Sequence, residues 1–242
     1  MIYKVGVLGA AGKMGSEVAF LLRESFTVGT DTLELADVVV HSSKIKGIEG
    51  VEARTQCETA TESVHVWIDF SAPESTISFL EKIEAPIVIG TTGFSQSQFV
   101  RIRDYARKYP VLLASNMSPG MAQVRHLLRQ LSVPAAQWEV CLNEEHHRQK
   151  KDSPSGTANT LLGILKEKGF TDIQVSVVRA GQKKGTHRIK FIADDEEFEI
   201  RHEVFDRRVF AKGALMAAHF LAQKQEPRIY SIDEMDSRSS PC

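Results

Sequence analysis

Tyr3-Lys4-Val5-Gly6-Val7-Leu8-Gly9-Ala10-Ala11-Gly12-Lys13-Met14-Gly15 is the stretch that decides the fold of this 242-residue chain. Tyr3 to Leu8 is rich in β-formers and reads as a short strand. Beyond the glycines, Val18, Leu21 and Leu22 share one face of a helix. Strand, glycine turn, helix is the context in which a glycine motif points to a dinucleotide. The turn must be tight, the backbone must approach a pyrophosphate, and the helix must pack closely on the strand. The spacing here, Gly-x-x-Gly-x-x-Gly, is one residue longer than the common Gly-x-Gly-x-x-Gly; glycine turns also occur for purely structural reasons.

Outward from this turn, strands and helices alternate, which predicts a parallel sheet. Strands are expected at Leu33–Val40, Val64–Phe70, Pro86–Ile89 and Val111–Ala114. Helices are expected after Ser71 and after Ser95, each with a capping-box partner three residues on, Glu74 and Gln98. Ligands of such sheets sit beyond the carboxyl ends of the strands. Three of those ends are small or polar: Phe70-Ser71, Gly90-Thr91-Thr92 and Ser115-Asn116-Met117. Turns are rich in such residues anyway, but three beside a glycine fingerprint suit a nicotinamide ring and its ribose. Candidate cofactor residues are therefore Gly9, Ala11, Gly12, Lys13, Met14, Phe70, Gly90, Thr91, Thr92, Ser115, Asn116 and Met117. The end of the second strand should read the adenine ribose, where an NAD site usually carries an acid. Leu33–Val40 runs instead into His41-Ser42-Ser43-Lys44, which favours the 2′-phosphate of NADPH and adds His41 to the set. If that strand instead ended at Asp31, NADH would be favoured.

After Asn116 the rhythm changes. Ser118-Pro119 opens a helix striped with Met121, Val124, Leu128 and Leu131. A strand from Trp138 to Leu142 leads into Glu144-Glu145-His146-His147-Arg148-Gln149-Lys150-Lys151-Asp152-Ser153-Pro154-Ser155-Gly156-Thr157, and a helix follows from Ala158. This basic loop ends at a helix start, where backbone N–H groups and the helix dipole attract anions. Cations, titratable imidazoles and anion-binding amides converge there, as holding a small carboxylate substrate and handing it a proton requires. The bland reading is a solvated basic loop with a capped helix behind it. His146 and His147 are adjacent, so in an extended chain they face opposite ways and should not share one task. The surrounding cations should depress the imidazole pKa. Asp152 reads as a turn cap or a cation's partner, and His187 and His219 carry no motif. A metal is not expected, because no further ligands fall at metal-site spacing. Beyond Gly169 the chain turns β-rich, with an acidic hairpin turn at Asp194–Glu197, and a last helix covers Ala211–Gln223. The fold class is thus α/β: an N-terminal Rossmann-like parallel sheet domain (1–118 plus 213–242) and a second α+β substrate and oligomerisation domain (119–212). Chemistry between two such domains is a common arrangement.

Composition narrows the function classes. Hydrophobic residues make up 42% and charged residues 25%, with a net charge of -1, so nothing suggests nucleic acid or an acidic membrane as a partner. Three widely spaced cysteines argue against a disulfide framework and fit a reducing cytoplasm. No stretch approaches a membrane span or a secretory leader.

The basic loop resembles the E-x-H-H-x-x-K-x-D-x-P-S-G-T signature of the 4-hydroxy-tetrahydrodipicolinate reductase family. Gly9 to Gly15, Asp69-Phe70-Ser71, Gly90-Thr91-Thr92-Gly93, Ser115-Asn116-Met117 and Phe210-Ala211-Lys212-Gly213-Ala214 resemble that family's other segments in the same order. The resemblance implies reduction of dehydrated 4-hydroxy-tetrahydrodipicolinate to tetrahydrodipicolinate by NADPH or NADH in lysine and diaminopimelate biosynthesis, by a cytoplasmic homotetramer. It implies His146 and Lys150 as the acid–base pair, and His147, Lys150, Ser155, Gly156 and Thr157 as carboxylate holders. The chain departs from many members in being shorter between Lys168 and Val175 and in carrying Gln182 where an Asp is frequent. Two other classes remain open on sequence: an NADP-sensing regulator without turnover, and a related dehydrogenase acting on an amino acid.

Overall fold

The computed structural model describes residues 1–40, 53–55 and 64–235. His41 and the Ser42-Ser43-Lys44 segment lie outside the described residues. The chain forms two compact units: Met1–Met117 with the chain from Phe210 on, and Ser118–Val209.

The first unit is built on β1 (Ile2–Leu8), α1 (Lys13–Arg23), β2 (Phe26–Val28), β3 (Asp31–Val40), β4 (Ala53–Thr55), β5 (Val66–Asp69), α2 (Pro73–Leu80), β6 (Ile87–Ile89), α3 (Gln96–Ala106) and β7 (Val111–Leu113). Its sheet runs β12-β7-β6-β5-β1-β3-β2, with β4 beside β3 and β12 (Ile229–Tyr230) arriving from the far end of the chain. All pairs are parallel except β2 with β3. The sequence reading missed this antiparallel edge. Its cause is local: Val28 pairs with Asp31 across a two-residue Gly29-Thr30 turn, and Gly29 has φ +60, as tight hairpin turns demand.

The strands are buried on both faces, and the pleat sorts their side chains. Val5, Val7, Val38, Val40, Val66, Ile68, Val88 and Leu112 join one core cluster with residues of α1 and of the last helix, α6 (Arg208–Ala222). Leu8, Val39, Trp67, Ile87, Ile89 and Val111 join a second with Phe79 and Ile102 from α2 and α3. Near-continuous apolar strands between two helical layers are what a doubly wound sheet requires. Gly6 pairs with Trp67 across the sheet, and a Cβ on Gly6 would lie 2.4 Å from the indole, so the glycine seats the ring.

Two local expectations need correcting. Asp31 begins β3 rather than ending a strand: its carboxylate holds the Met1 amino group at 2.6 Å and His219 at 2.9 Å. The capping box foreseen at Ser71 and Glu74 does not form; α2 starts from Ala72 with no side-chain cap. The Ser71 hydroxyl donates instead to the buried carboxylate of Asp69, 2.6 Å away, and a nearby buried carboxylate outcompetes a helix end. At Ser95 and Gln98 the box is complete.

The second unit contains α4 (Pro119–Gln130), β8 (Glu139–His146), α5 (Gly156–Glu167), β9 (Ile173–Arg179), β10 (Thr186–Ile192) and β11 (Glu197–Glu203). Its sheet order is β11-β10-β8-β9; β9 lies parallel to β8, and the other pairs are antiparallel. Met121, Val124 and Leu128 of α4 and Leu161 and Leu165 of α5 pack with Val140, Leu142, Ile189 and Phe191 on one face of it. α6 (Arg208–Ala222) then carries the chain into the first unit. Among the described residues no helix is long and apolar enough to cross a membrane.

Candidate active site

In the first unit the register gathers the predicted cofactor residues. Leu8 pairs with Asp69, Asp69 with Ile89 and Ile89 with Leu113. The segments beginning at Gly9, Phe70, Gly90 and Ala114 therefore leave the sheet along one edge, the carboxyl edge where ligands of such sheets bind. Gly9 has φ +81, and a Cβ on it would lie 2.5 Å from the Phe70 carbonyl oxygen; a Cβ on Gly15 would lie 2.2 Å from that of Gly9. The turn is thus packed backbone against backbone, leaving room only for glycine. A Cβ on Gly90 would strike the Phe70 ring at 2.2 Å, so that glycine seats the phenyl group.

The helix starts differ in how their backbone N–H groups are met. Ser95, Ser118 and Ser155 cap α3, α4 and α5 with their hydroxyls. α1 starts from Gly12 with no side-chain cap and no acid in its first turn. An external anion completes such a start. Ala11, Gly12, Lys13, Thr92 and Ser115 are exposed, and Met14, Phe70, Gly90 and Asn116 half-buried. Thr91 and Met117 face inward: the Thr91 hydroxyl accepts from the Ser71 N–H at 2.9 Å, and Met117 lies in the core. Beneath this edge Asp69 is fully buried and accepts from Ser71 and, at 2.5 Å, from Thr76. Burial raises its carboxyl above the usual range, against those hydrogen bonds and one from Thr91. The uncapped start and the glycine cradle fit a dinucleotide pyrophosphate.

In the second unit β8 runs farther than the sequence predicts, through His146. Its alternation places Val140, Leu142, Glu144 and His146 on the covered face. A carboxylate and an imidazole thus occupy positions where the pattern calls for apolar residues. His187 of β10 pairs across from Glu144, and His202 of β11 across from His187, so three ionisable groups form a row through the sheet. His202 ends it against the Ser118 hydroxyl at 3.1 Å. The rings of His146 and His187 meet edge to face with centroids 5.2 Å apart.

Glu144 is 0% exposed. It accepts from the Ser155 N–H at 3.1 Å, from the Ser155 hydroxyl, and from Arg179 at 2.5 Å. His187 Nε2 lies 3.6 Å from it and His146 Nδ1 3.8 Å. Burial alone would raise its carboxyl, but hydrogen bonds from His187, Ser155 and Arg179 prevail and hold it well below the usual range. Burial foremost, then His187, with Lys150 and Arg179 adding to it against the pull of Glu144, pushes His146 down to about 4. Lys150 pairs with Asp152 at 2.9 Å, and the Lys150 N–H closes a turn onto the His147 carbonyl at 3.1 Å. Asp152 also accepts, at 3.4 Å, from the Gly156 N–H at the start of α5. Gly156 is exposed, His147 half-buried and Thr157 buried. Ser155 is buried, with both its N–H and its hydroxyl turned to Glu144.

Glu144, His146 and His187 bring ligand atoms within 4.8 Å of one another, a grouping that sequence spacing could not show. The charges suit a proton network better than a metal: Glu144 is already engaged by Arg179 and Ser155, and a divalent ion would add two buried positive charges beside a guanidinium. The sequence reading missed Glu144, His187 and Arg179 as members. Glu144 was visible as the polar break in the alternation of β8, whereas His187 and Arg179 meet it only through strand pairing.

The depressed His146 imidazole makes a pH prediction. Its unfolded value is near 6.5, so between about 6.5 and 4 the unfolded chain binds a proton that the folded one refuses. Stability contributed by the neutral ring is complete above that window and falls as pH drops through it, by up to about 3 kcal/mol. Urea unfolding of wild type and His146→Gln at pH 7 and pH 4.5 should show a smaller acid loss in the variant. Equal losses would mean that His146 is not the group refusing the proton.

Comparison with known proteins assigns the whole chain. Residues 3–117 match the family model described as dihydrodipicolinate reductase, N-terminus, and residues 120–235 the one described as dihydrodipicolinate reductase, C-terminus. The 4-hydroxy-tetrahydrodipicolinate reductase of Bdellovibrio bacteriovorus is 34% identical over 236 residues, covering 96% of this chain and 95% of that protein. That of Nitratiruptor sp. is 35% identical over 258, covering 95% and 97%. In fold, the chain is similar to a dipicolinate-bound dihydrodipicolinate reductase from Paenisporosarcina sp. TG-14, with a TM-score of 0.74 at 21% identity over 96% of this chain and 98% of that one. With both halves matched and close relatives spanning nearly its full length, the chain belongs to the dihydrodipicolinate reductase family.

Proposed function

We propose that the chain reduces the dehydrated form of 4-hydroxy-tetrahydrodipicolinate to tetrahydrodipicolinate with NADPH, or with NADH, in lysine and diaminopimelate biosynthesis. The observation that carries this reading is one short run of chain: buried His146, Lys150 and the start of α5 at Ser155-Gly156-Thr157, joined by hydrogen-bonded turns. The substrate is a ring bearing two carboxylates and a C=N–C=C system. The bound nicotinamide supplies the hydride that adds at C4, and the enamine carbon so formed takes a proton. The Lys150 ammonium and the α5 start supply positive charge for the carboxylates. His147 stands beside them. His146 is neutral before substrate binds; arrival of a dianion favours its protonated form, and with Lys150 it makes the acid–base pair.

The preference for NADPH rests on the run of β3 into His41-Ser42-Ser43-Lys44, which offers hydroxyls and cations and no acid. In the same reading the protein is a cytoplasmic homotetramer. The exposed Val175 and Val178 of edge strand β9 suit burial against another copy.

The test is a coupled assay. Pyruvate and aspartate semialdehyde are condensed by a synthase, this protein is added, and oxidation of NADPH and NADH is followed separately. Rapid oxidation dependent on the condensed product, faster with NADPH, is the expected result. No oxidation with either cofactor, in protein shown to bind NADPH, would overturn the reductase reading.

A further inference from the structure

A fully buried carboxylate costs several kcal/mol unless its charge is matched, so a place like that of Glu144 calls for an account of what the charge does there. Glu144 is ion-paired with Arg179 of β9. Its two oxygens are turned to groups that shape the loop. Oε1 takes the Ser155 N–H and Arg179, and Oε2 takes the Ser155 hydroxyl. That hydroxyl in turn accepts from the Ala158 N–H at 3.1 Å, so the cap of α5 is held by the carboxylate beneath it. The Arg179 nitrogen that binds Glu144 also donates to the Asp152 carbonyl at 2.6 Å. One carboxylate therefore fastens the basic loop at both ends of its last turn, at Asp152 through Arg179 and at Ser155 directly. His187 stands behind Glu144 from the paired strand, fixed by register rather than by loop conformation.

We propose that Glu144 is a positioning residue: with Arg179 it sets the Asp152–Thr157 turn in the shape that receives a substrate carboxylate before that substrate arrives. This rests on the dicarboxylate reading given above. Ser155 then acts through the turn, not on the substrate, since its N–H and its hydroxyl both face inward. Order built in beforehand lowers the cost of binding, so its loss should appear in substrate affinity more than in the rate of the bound complex.

The experiment compares wild type, Glu144→Gln, Glu144→Asp and Arg179→Lys. Gln keeps the volume of Glu144 without its charge. Lys keeps the charge of Arg179 but replaces the planar guanidinium, whose one terminal nitrogen reaches both Glu144 and the Asp152 carbonyl, with an ammonium on a stem of different reach. Affinity for the stable probe pyridine-2,6-dicarboxylate is measured by calorimetry with NADPH present, affinity for NADPH is measured alone, and KM and kcat are taken from the coupled assay. Glu144→Gln and Arg179→Lys should weaken probe binding and raise the substrate KM by about tenfold or more, the loss expected when a preorganised site must be ordered on binding. NADPH affinity should hold, kcat should change far less than KM, and Glu144→Asp should fall between. Probe affinity of both variants within about twofold of wild type would overturn the proposal, a difference below what lost preorganisation produces. If Glu144→Gln does not fold, Arg179→Lys decides alone. A wild type that binds the probe but turns over no condensed product would sink the reductase reading and leave the positioning test standing.

Discussion

Replacing Lys150 with alanine is expected to lower kcat by about 10²-fold or more, the range lost when a positioned acid or its charge is removed. The structure adds a reason for a large effect. Lys150 is the partner of Asp152 at 2.9 Å, so its loss removes one positive charge and also uncovers a negative one. A dianionic substrate would meet an unpaired carboxylate where it now meets a neutralised pair, and KM should rise as well. The control is Asp152→Asn, which leaves the ammonium in place and should keep kcat within a few-fold. Steady-state rates of the three proteins decide the matter. Near-normal turnover in Lys150→Ala would remove this residue from the mechanism and leave His146 or water as the proton source.

Gly9→Ala should cost on the order of 3 kcal/mol of stability or more, and should abolish useful nucleotide affinity, because overpacking adds to backbone strain. Two glycines make the comparison clean. Gly9 and Gly93 both have positive φ, +81 and +89, but a Cβ at Gly93 would meet nothing within 4 Å, while one at Gly9 would meet the Phe70 carbonyl oxygen at 2.5 Å. Gly93→Ala should therefore show the conformational cost alone, about 1 kcal/mol. The difference between the two in urea unfolding isolates the close approach of the turn to the β5–α2 connection. Equal losses would mean that the turn relaxes freely and that its tightness is not what Gly9 provides.

How far the chain could be read from its residues depended on whether the deciding interaction was local. Ser95 with Gln98 was legible as a capping box because both partners of its two hydrogen bonds lie three residues apart. Ser71 with Glu74 had the same spacing and failed, because Asp69 becomes a buried acceptor only once the sheet closes over it. The β2–β3 hairpin was missed although its Gly29 turn is local, since three residues are too few for a periodicity to show. At the site, the loop from His146 to Thr157 was visible as a run of chemical types. Its supports were not: Arg179 reaches Glu144 across 35 residues, and His187 lies opposite Glu144 only because β10 pairs with β8. Met117 shows the converse, a residue in a cofactor-side segment whose side chain belongs to the core.

The doubly held cap of α5 bears on the order in which the protein can be made. An apolar helix of this length can begin to form as soon as its residues exist, but the groups that seat its first turn come from elsewhere. Glu144 precedes Ser155 by 11 residues, while Arg179 and His187 follow it. A chain emerging from the ribosome would therefore carry α5 for some time with its anion-binding end unfinished. Closing those longer loops comes late in assembly. A ligand that needs that end could be captured only after β10 has been synthesised and paired, so binding competence should lag behind helix content during synthesis.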